Sequence, residues 1–354
     1  MVSSIFGTMR LLDQISSSEL PFIVTNNSSA ANHRLQGPAD FAHDLHRCSL
    51  RYVLTDELVK VCTALAFSRG AKTLDCADLI HISAPSVWIE WCDAVHRREL
   101  AKYAFQTGDS TGLRGGRRGA LLKTDALGRK GSIKVFWSTG ANELELFASP
   151  LTVLFDLDVT ENPLRRAESR PIHRDLIVAD AAHDELGVLQ RCFTFRFEES
   201  WASYYDDHQL SASDLVAIER HTLGTTADAI PIMLVFFLLL SARSALSQRK
   251  SELSNLNRAR MRIGKRPLLE HIEVHAPLIP EYSSGREGAP QGSIRRGPRL
   301  HQVRGHLVRR GNTLYWRIPH LRGHARWGVV KSRTVSWTLE NAATSAGRSN
   351  AEIS

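Results

Sequence analysis

The sequence predicts an α+β protein with a helical N-terminal region, a β-rich middle, and a C-terminal long helix packed on a small antiparallel sheet. Three observations carry that prediction. Between residues 39 and 100 apolar residues recur at three- and four-residue spacing, the period of a helix with one buried face. From 119 to 158, and again from 191 to 198, the period falls to two, which sends alternate side chains to opposite faces of a strand. Near residue 311 two alternating runs meet at Gly311-Asn312, a two-residue loop of the kind that closes a β-hairpin. The expected organisation is a mostly helical region over 1–110, a β-rich region over 111–210, a module of long helix and basic sheet over 211–340, and a disordered tail over 341–354.

Taken in order, residues 40–48 read as a helix. A second opens at Thr55-Asp56-Glu57 with a capping-type start and closes at Gly70. A third is expected over 87–100, with Trp88, Trp91, Cys92 and Val95 at helical spacing and therefore core. The glycine-rich stretch 107–118 reads as a linker and contains no G-x-x-x-x-G-K-[ST] pattern, so no phosphate-cradling loop is expected there. Strands at 120–124 and 132–138 flank a Gly-containing turn at 127–131, and strands at 143–148, 151–157 and 191–198 follow. Short helices are expected over 179–189 and 211–219. A long one follows over 229–263, with Pro231 in its first turn and Gly264 just past its end. Its first half is apolar nearly all round, and its second half carries Arg243, Arg249, Lys250, Arg258, Arg260 and Arg262. Residues 268–278 alternate again and are expected to join the C-terminal sheet, as is a run at 334–339.

At 354 residues the chain is long enough to bury a sizeable core without metal or disulfide support. Cys48, Cys62, Cys76, Cys92 and Cys192 are odd in number and form no C-x-x-C, which fits free thiols in a reducing compartment. The N-terminus lacks the charged-then-apolar order of a secretory signal, and a cytoplasmic location is expected. The apolar run 230–240 is shorter than the roughly 20 residues a spanning helix needs, so a buried helix and no membrane partner are expected. No cofactor is implied. His301, His306, His320 and His324 have no accompanying cysteine and match no familiar spacing, so no metal site is assigned.

The net charge of +8 is concentrated. Residues 288–339 hold eleven Lys or Arg and no Asp or Glu, which leaves 34 basic and 37 acidic side chains elsewhere. A patch of that density attracts polyanions, and nucleic acid is the commonest in the cytoplasm. Pairing of Arg310 with Thr313 would place Leu307 and Trp316 on an inner face and Val308, Tyr315, His306 and Arg317 on the outer one. The tripeptide Arg-Gly-His occurs twice, at 304–306 and 322–324.

The order of a long apolar helix, then Asn257-Arg258-Ala259-Arg260-Met261-Arg262, then Val303-Arg304-Gly305-His306 and Trp316-Arg317-Ile318-Pro319-His320, resembles the C-terminal half of proteins from bacteriophages and mobile bacterial elements. That group has no assigned activity. The resemblance covers residues 230 to about 339 and implies an origin rather than a mechanism.

The expected function is nucleic-acid binding, with RNA or single-stranded DNA favoured over duplex, as an accessory protein of phage or mobile-element origin. Arg304, His306, Arg310, Tyr315 and Arg317 would combine phosphate-neutralising charge with a ring that stacks on a base, while Arg309, Arg322 and Arg326 would hold backbone. Two alternatives stay open. One is a ribonuclease like the small toxins that cleave mRNA, with His306 and His320 sharing acid and base duty, although the hairpin register separates the two on opposite faces. The other is a phage structural or interaction protein, with a protein partner or a second copy of the chain against the basic sheet.

Overall fold

The computed structural model describes residues 10–17, 38–67, 78–103, 116–139, 145–158, 192–198, 222–242, 245–276, 299–303, 306–310, 313–317, 320–322 and 324–329. The chain forms two compact units, Met1–Leu278 with Leu307–Trp316, and Ile279–His306 with Arg317–Ser354. Helices and a large mixed sheet make it an α+β protein.

The first unit is built on an eight-stranded sheet. Its strands are β1 (Leu50–Leu54), β2 (Ser86–Cys92), β3 (Arg117–Thr124), β4 (Lys130–Thr139), β5 (Glu145–Asp156), β6 (Phe193–Phe197), β7 (Ser247–Lys250) and β8 (Ile272–His275), in the order β6-β5-β4-β3-β2-β1-β8-β7. From β2 to β6 each strand is antiparallel to the next. β1 runs parallel to both β2 and β8, and β7 closes the edge antiparallel to β8. The sheet thus draws strands from across positions 110 and 210.

Helices cover both faces. On one side α1 (Leu11–Ser17) and α2 (Pro38–Arg47) bury Leu11, Leu12, Ile15, Phe41 and Leu45 against Trp88, Leu121 and Phe136. On the other, α3 (Asp56–Phe67), α4 (Asp93–Leu100) and α5 (Ala229–Ser241) pack on Ile89, Trp91, Ala120, Leu122, Ile133 and Val135. The α5 helix is the centre of this second core: its residues from Ala229 to Leu239 are all buried. Each of its large apolar side chains contributes about 1.5–3 kcal/mol by leaving water. With the turn before it, the helical run Thr222–Ser241 has the length and composition of a membrane span, yet most of it lies inside the protein.

Several expectations need correction. Residues 86–92 form strand β2, not the start of a helix, because this strand is buried on both faces and so shows no alternation. Trp88 and Trp91 are core as expected, but in opposite layers. Strand β1 interrupts the region read as wholly helical. The runs at 143–148 and 151–157 are one strand, β5. The long helix ends at Ser241: past that residue the apolar sequence stops, and the backbone turns extended at Ala242 and pairs as β7 with β8. A separate helix, α6 (Ser254–Arg262), follows. Strand β8 belongs to the large sheet, with Tyr52 opposite Ile272, rather than to the C-terminal one. The β3–β4 turn is as expected. Gly128 there has φ +64°, and a Cβ would lie 2.1 Å from the Ile82 carbonyl oxygen, so only glycine fits. Helices expected at 179–189 and 211–219, most of the linker, the strand at 334–339 and the tail lie outside the described residues.

In the second unit β9 (Arg299–Val303) has β12 (His320–Arg322) antiparallel on one side and β13 (His324–Val329) parallel on the other. His320 pairs with Val303, the partner the hairpin register assigns it.

Candidate nucleic-acid interface

Strands β10 (His306–Arg310) and β11 (Thr313–Arg317) form the expected two-stranded ladder around Gly311-Asn312. Alternation along β11 separates its side chains. Leu314 is 4% exposed within the α5 core and Trp316 packs against the same core, whereas Tyr315 is 36% exposed. On β10 both Arg309 and Arg310 are exposed. Arg310 and Tyr315 therefore lie on the solvent face, as the register predicts. The cost of the buried face is a Trp316 indole N–H without a hydrogen-bond acceptor among the described residues.

Arg309 has a different role from the one expected. Its guanidinium grips Asp78 with two hydrogen bonds, Nη1 to Oδ1 at 3.0 Å and Nη2 to Oδ2 at 2.8 Å. An acidic side chain from the early part of the chain thus screens one member of the cationic set. Arg317, at the end of β11, and Arg322, on β12, are exposed. Arg304 lies outside the described residues. His306, His320 and Arg326 sit on β10, β12 and β13, but their side chains fall outside the description.

A second basic surface belongs to β7 and α6. Residues 247–266 hold seven Lys or Arg and one acid, Glu252. All four residues of β7 are exposed, and α6 buries none of its residues. Among the described residues the helix's side-chain hydrogen bonds run along one side. Asn257 accepts the Leu268 amide at 2.7 Å and donates to the Leu268 carbonyl at 2.9 Å, and Arg260 Nε donates to the Arg266 carbonyl at 2.9 Å. Gly264 ends it with φ +71°, letting Lys265 N–H reach the Arg260 carbonyl at 3.0 Å.

The remaining concentration of charge is internal. Glu90, fully buried on β2, accepts the Leu11 and Leu12 amides that open α1, at 2.8 and 2.9 Å, and also pairs with Arg117. Burial alone would raise its pKa, but Arg117 and the two amides hold it below the ordinary carboxylate range. Asp13, 3% exposed, accepts the Leu269 amide at 2.8 Å, and burial, with Glu90 adding to it, pushes its pKa up to about 6.

On the opposite face Asp93 binds Arg97 Nε at 2.6 Å and Arg118 Nε at 3.1 Å, and Arg118 also donates to the Thr225 carbonyl at 3.1 Å. Burial opposes ionisation of Asp93, yet Arg118 and Arg97 keep its pKa low. Asp228, beside the same arginines at the start of α5, is shifted upward by burial. Thr63 donates to the Val59 carbonyl at 2.8 Å, so it accepts from His96 Nδ1 at 3.0 Å, leaving Nε2 deprotonated and unpartnered. Burial, with Arg118 nearby, lowers the His96 pKa to about 3. Sequence reading missed this network because its members come from α3, α4, β3 and the residues around the start of α5, partners distant in sequence.

Among the described residues no group of three or more His, Cys, Asp or Glu side chains is placed to hold a metal ion. No family model, curated protein or solved structure matches the chain.

Proposed function

We propose that the protein binds nucleic acid, RNA or single-stranded DNA, as an accessory protein of phage or mobile-element origin, through the solvent face of β10–β11. The supporting observation is the alternation of β11: Leu314 turns into the core, so Tyr315 and, across the ladder, Arg310 face solvent. An arginine that neutralises phosphate beside a ring that stacks on a base is a sequence-tolerant way to hold a single strand. Arg317 and Arg322, further cations of the expected set, are exposed and belong to the second unit.

The test is fluorescence anisotropy of a labelled single-stranded RNA titrated with the full chain at several salt concentrations. Replacing both Arg310 and Tyr315 by alanine is expected to weaken binding at least about tenfold, since a stacked base alone is worth about 1–3 kcal/mol. The variant should also flatten the dependence on salt. Unchanged affinity in a variant that melts like the parent would refute this surface.

A further inference from the structure

We infer that α6 is a groove-reading helix whose target is the major groove of duplex DNA. This is a second surface, resting on residues other than those of β10–β11. The first observation is direction. Asn257 and Arg260 tie the helix to the segment 266–268, so the opposite side of a 3.6-residue turn carries Asn255, Arg258, Ala259 and Arg262, each exposed. The second is charge. Among the described residues no ion pair engages Arg249, Arg258, Arg262 or Lys265, whereas Lys250 pairs with Glu270 at 3.0 Å. The third is an apolar fringe: Leu256 and Ile263, 49% and 67% exposed, lie along one edge of the stripe, and Met261, 57% exposed, along the other.

These features suit one polyanion better than the others. A helix with its side chains is about 10–12 Å across, and the B-form major groove is about 12 Å wide. Arg258 and Arg262 are four residues apart, about 6 Å along the axis, close to two base-pair steps, and arginine reads guanine in that groove through paired hydrogen bonds. Asn255 offers the corresponding pairing to adenine. Ala259 lies between the arginines and lets the helix approach the base edges closely. The apolar fringe meets thymine methyl groups and sugars, and Arg249 and Lys265 are left for phosphate. The deep, narrow major groove of A-form RNA does not admit such a helix, and a single strand has no groove.

The experiment measures binding of the full chain to a labelled random-sequence DNA duplex, to one of its single strands, and to an RNA duplex of the same sequence. The parent should bind the DNA duplex more tightly than the RNA duplex. The double variant Arg258→Ala with Arg262→Ala should lose at least about tenfold in duplex affinity, and the double variant Arg249→Ala with Lys265→Ala should lower the salt slope by about two units, both with an unchanged melting temperature. Ala259→Trp keeps every charge but blocks close approach, and should weaken duplex binding while leaving single-strand binding intact. Arg310→Ala with Tyr315→Ala should do the reverse, so the two surfaces fail separately. The inference is overturned if the α6 variants bind the DNA duplex like the parent, if they lose duplex and single strand equally, or if the parent binds the RNA duplex at least as tightly as the DNA duplex.

Discussion

Replacing Asp13 by asparagine should stabilise this protein at neutral pH and leave it unchanged in mild acid. Asp13 is 3% exposed, and its Oδ1 accepts the Leu269 amide at 2.8 Å, a bond that the asparagine oxygen keeps. Burial and the neighbouring Glu90 raise its pKa from 3.8 to about 6, against the pull of the Leu269 amide, Arg260 and Arg10. A carboxyl whose pKa is higher folded than unfolded binds its proton more tightly in the folded state. The contribution of Asp13 to stability is therefore greatest below about pH 4, falls as pH rises toward 6, and is fully reduced above that. At about 1.4 kcal/mol per unit, the penalty at neutral pH is on the order of 3 kcal/mol. Urea unfolding of parent and Asp13→Asn should show a difference near that size at pH 7.5, closing to near zero at pH 4. A difference independent of pH, or a variant less stable at pH 7.5, would refute the assignment of Asp13 as a buried, poorly compensated acid.

Two other outcomes follow from the same structure. His96 has a folded pKa of about 3, below its unfolded value of 6.5, so its contribution is complete above pH 6.5 and is lost as pH falls toward 3. Urea unfolding should show His96→Gln losing about 2 kcal/mol less than the parent between pH 6.5 and 4.5. Asp78→Asn removes the carboxylate charge beside Arg309 and should tighten single-stranded RNA binding in the anisotropy assay. Because both partners are exposed, 40% for Arg309 and 51% for Asp78, its effect on stability should stay below about 1 kcal/mol.

Periodicity and turn chemistry determined a good deal of this protein without coordinates. The hairpin at Gly311-Asn312, the faces of Trp316 and Tyr315, strands β3, β4 and β6, and the Gly128 turn all rest on interactions within a few residues, which is the range a sequence pattern reports. The excess of cations over 288–339 is likewise a property of composition. Tertiary structure decided the rest, because partners distant in sequence set it. Strand β2 looks helical since helices cover both its faces, which removes the alternation that marks a half-exposed strand. The segment after Ser241 becomes an edge strand because β8, some 25 residues later, offers its backbone, and that pairing outweighs a weak local preference for helix. The engagement of Arg309 by Asp78, 231 positions away, is equally invisible to local pattern. So is the side of α6 that faces water, since the bonds from Asn257 and Arg260 to the following segment orient it.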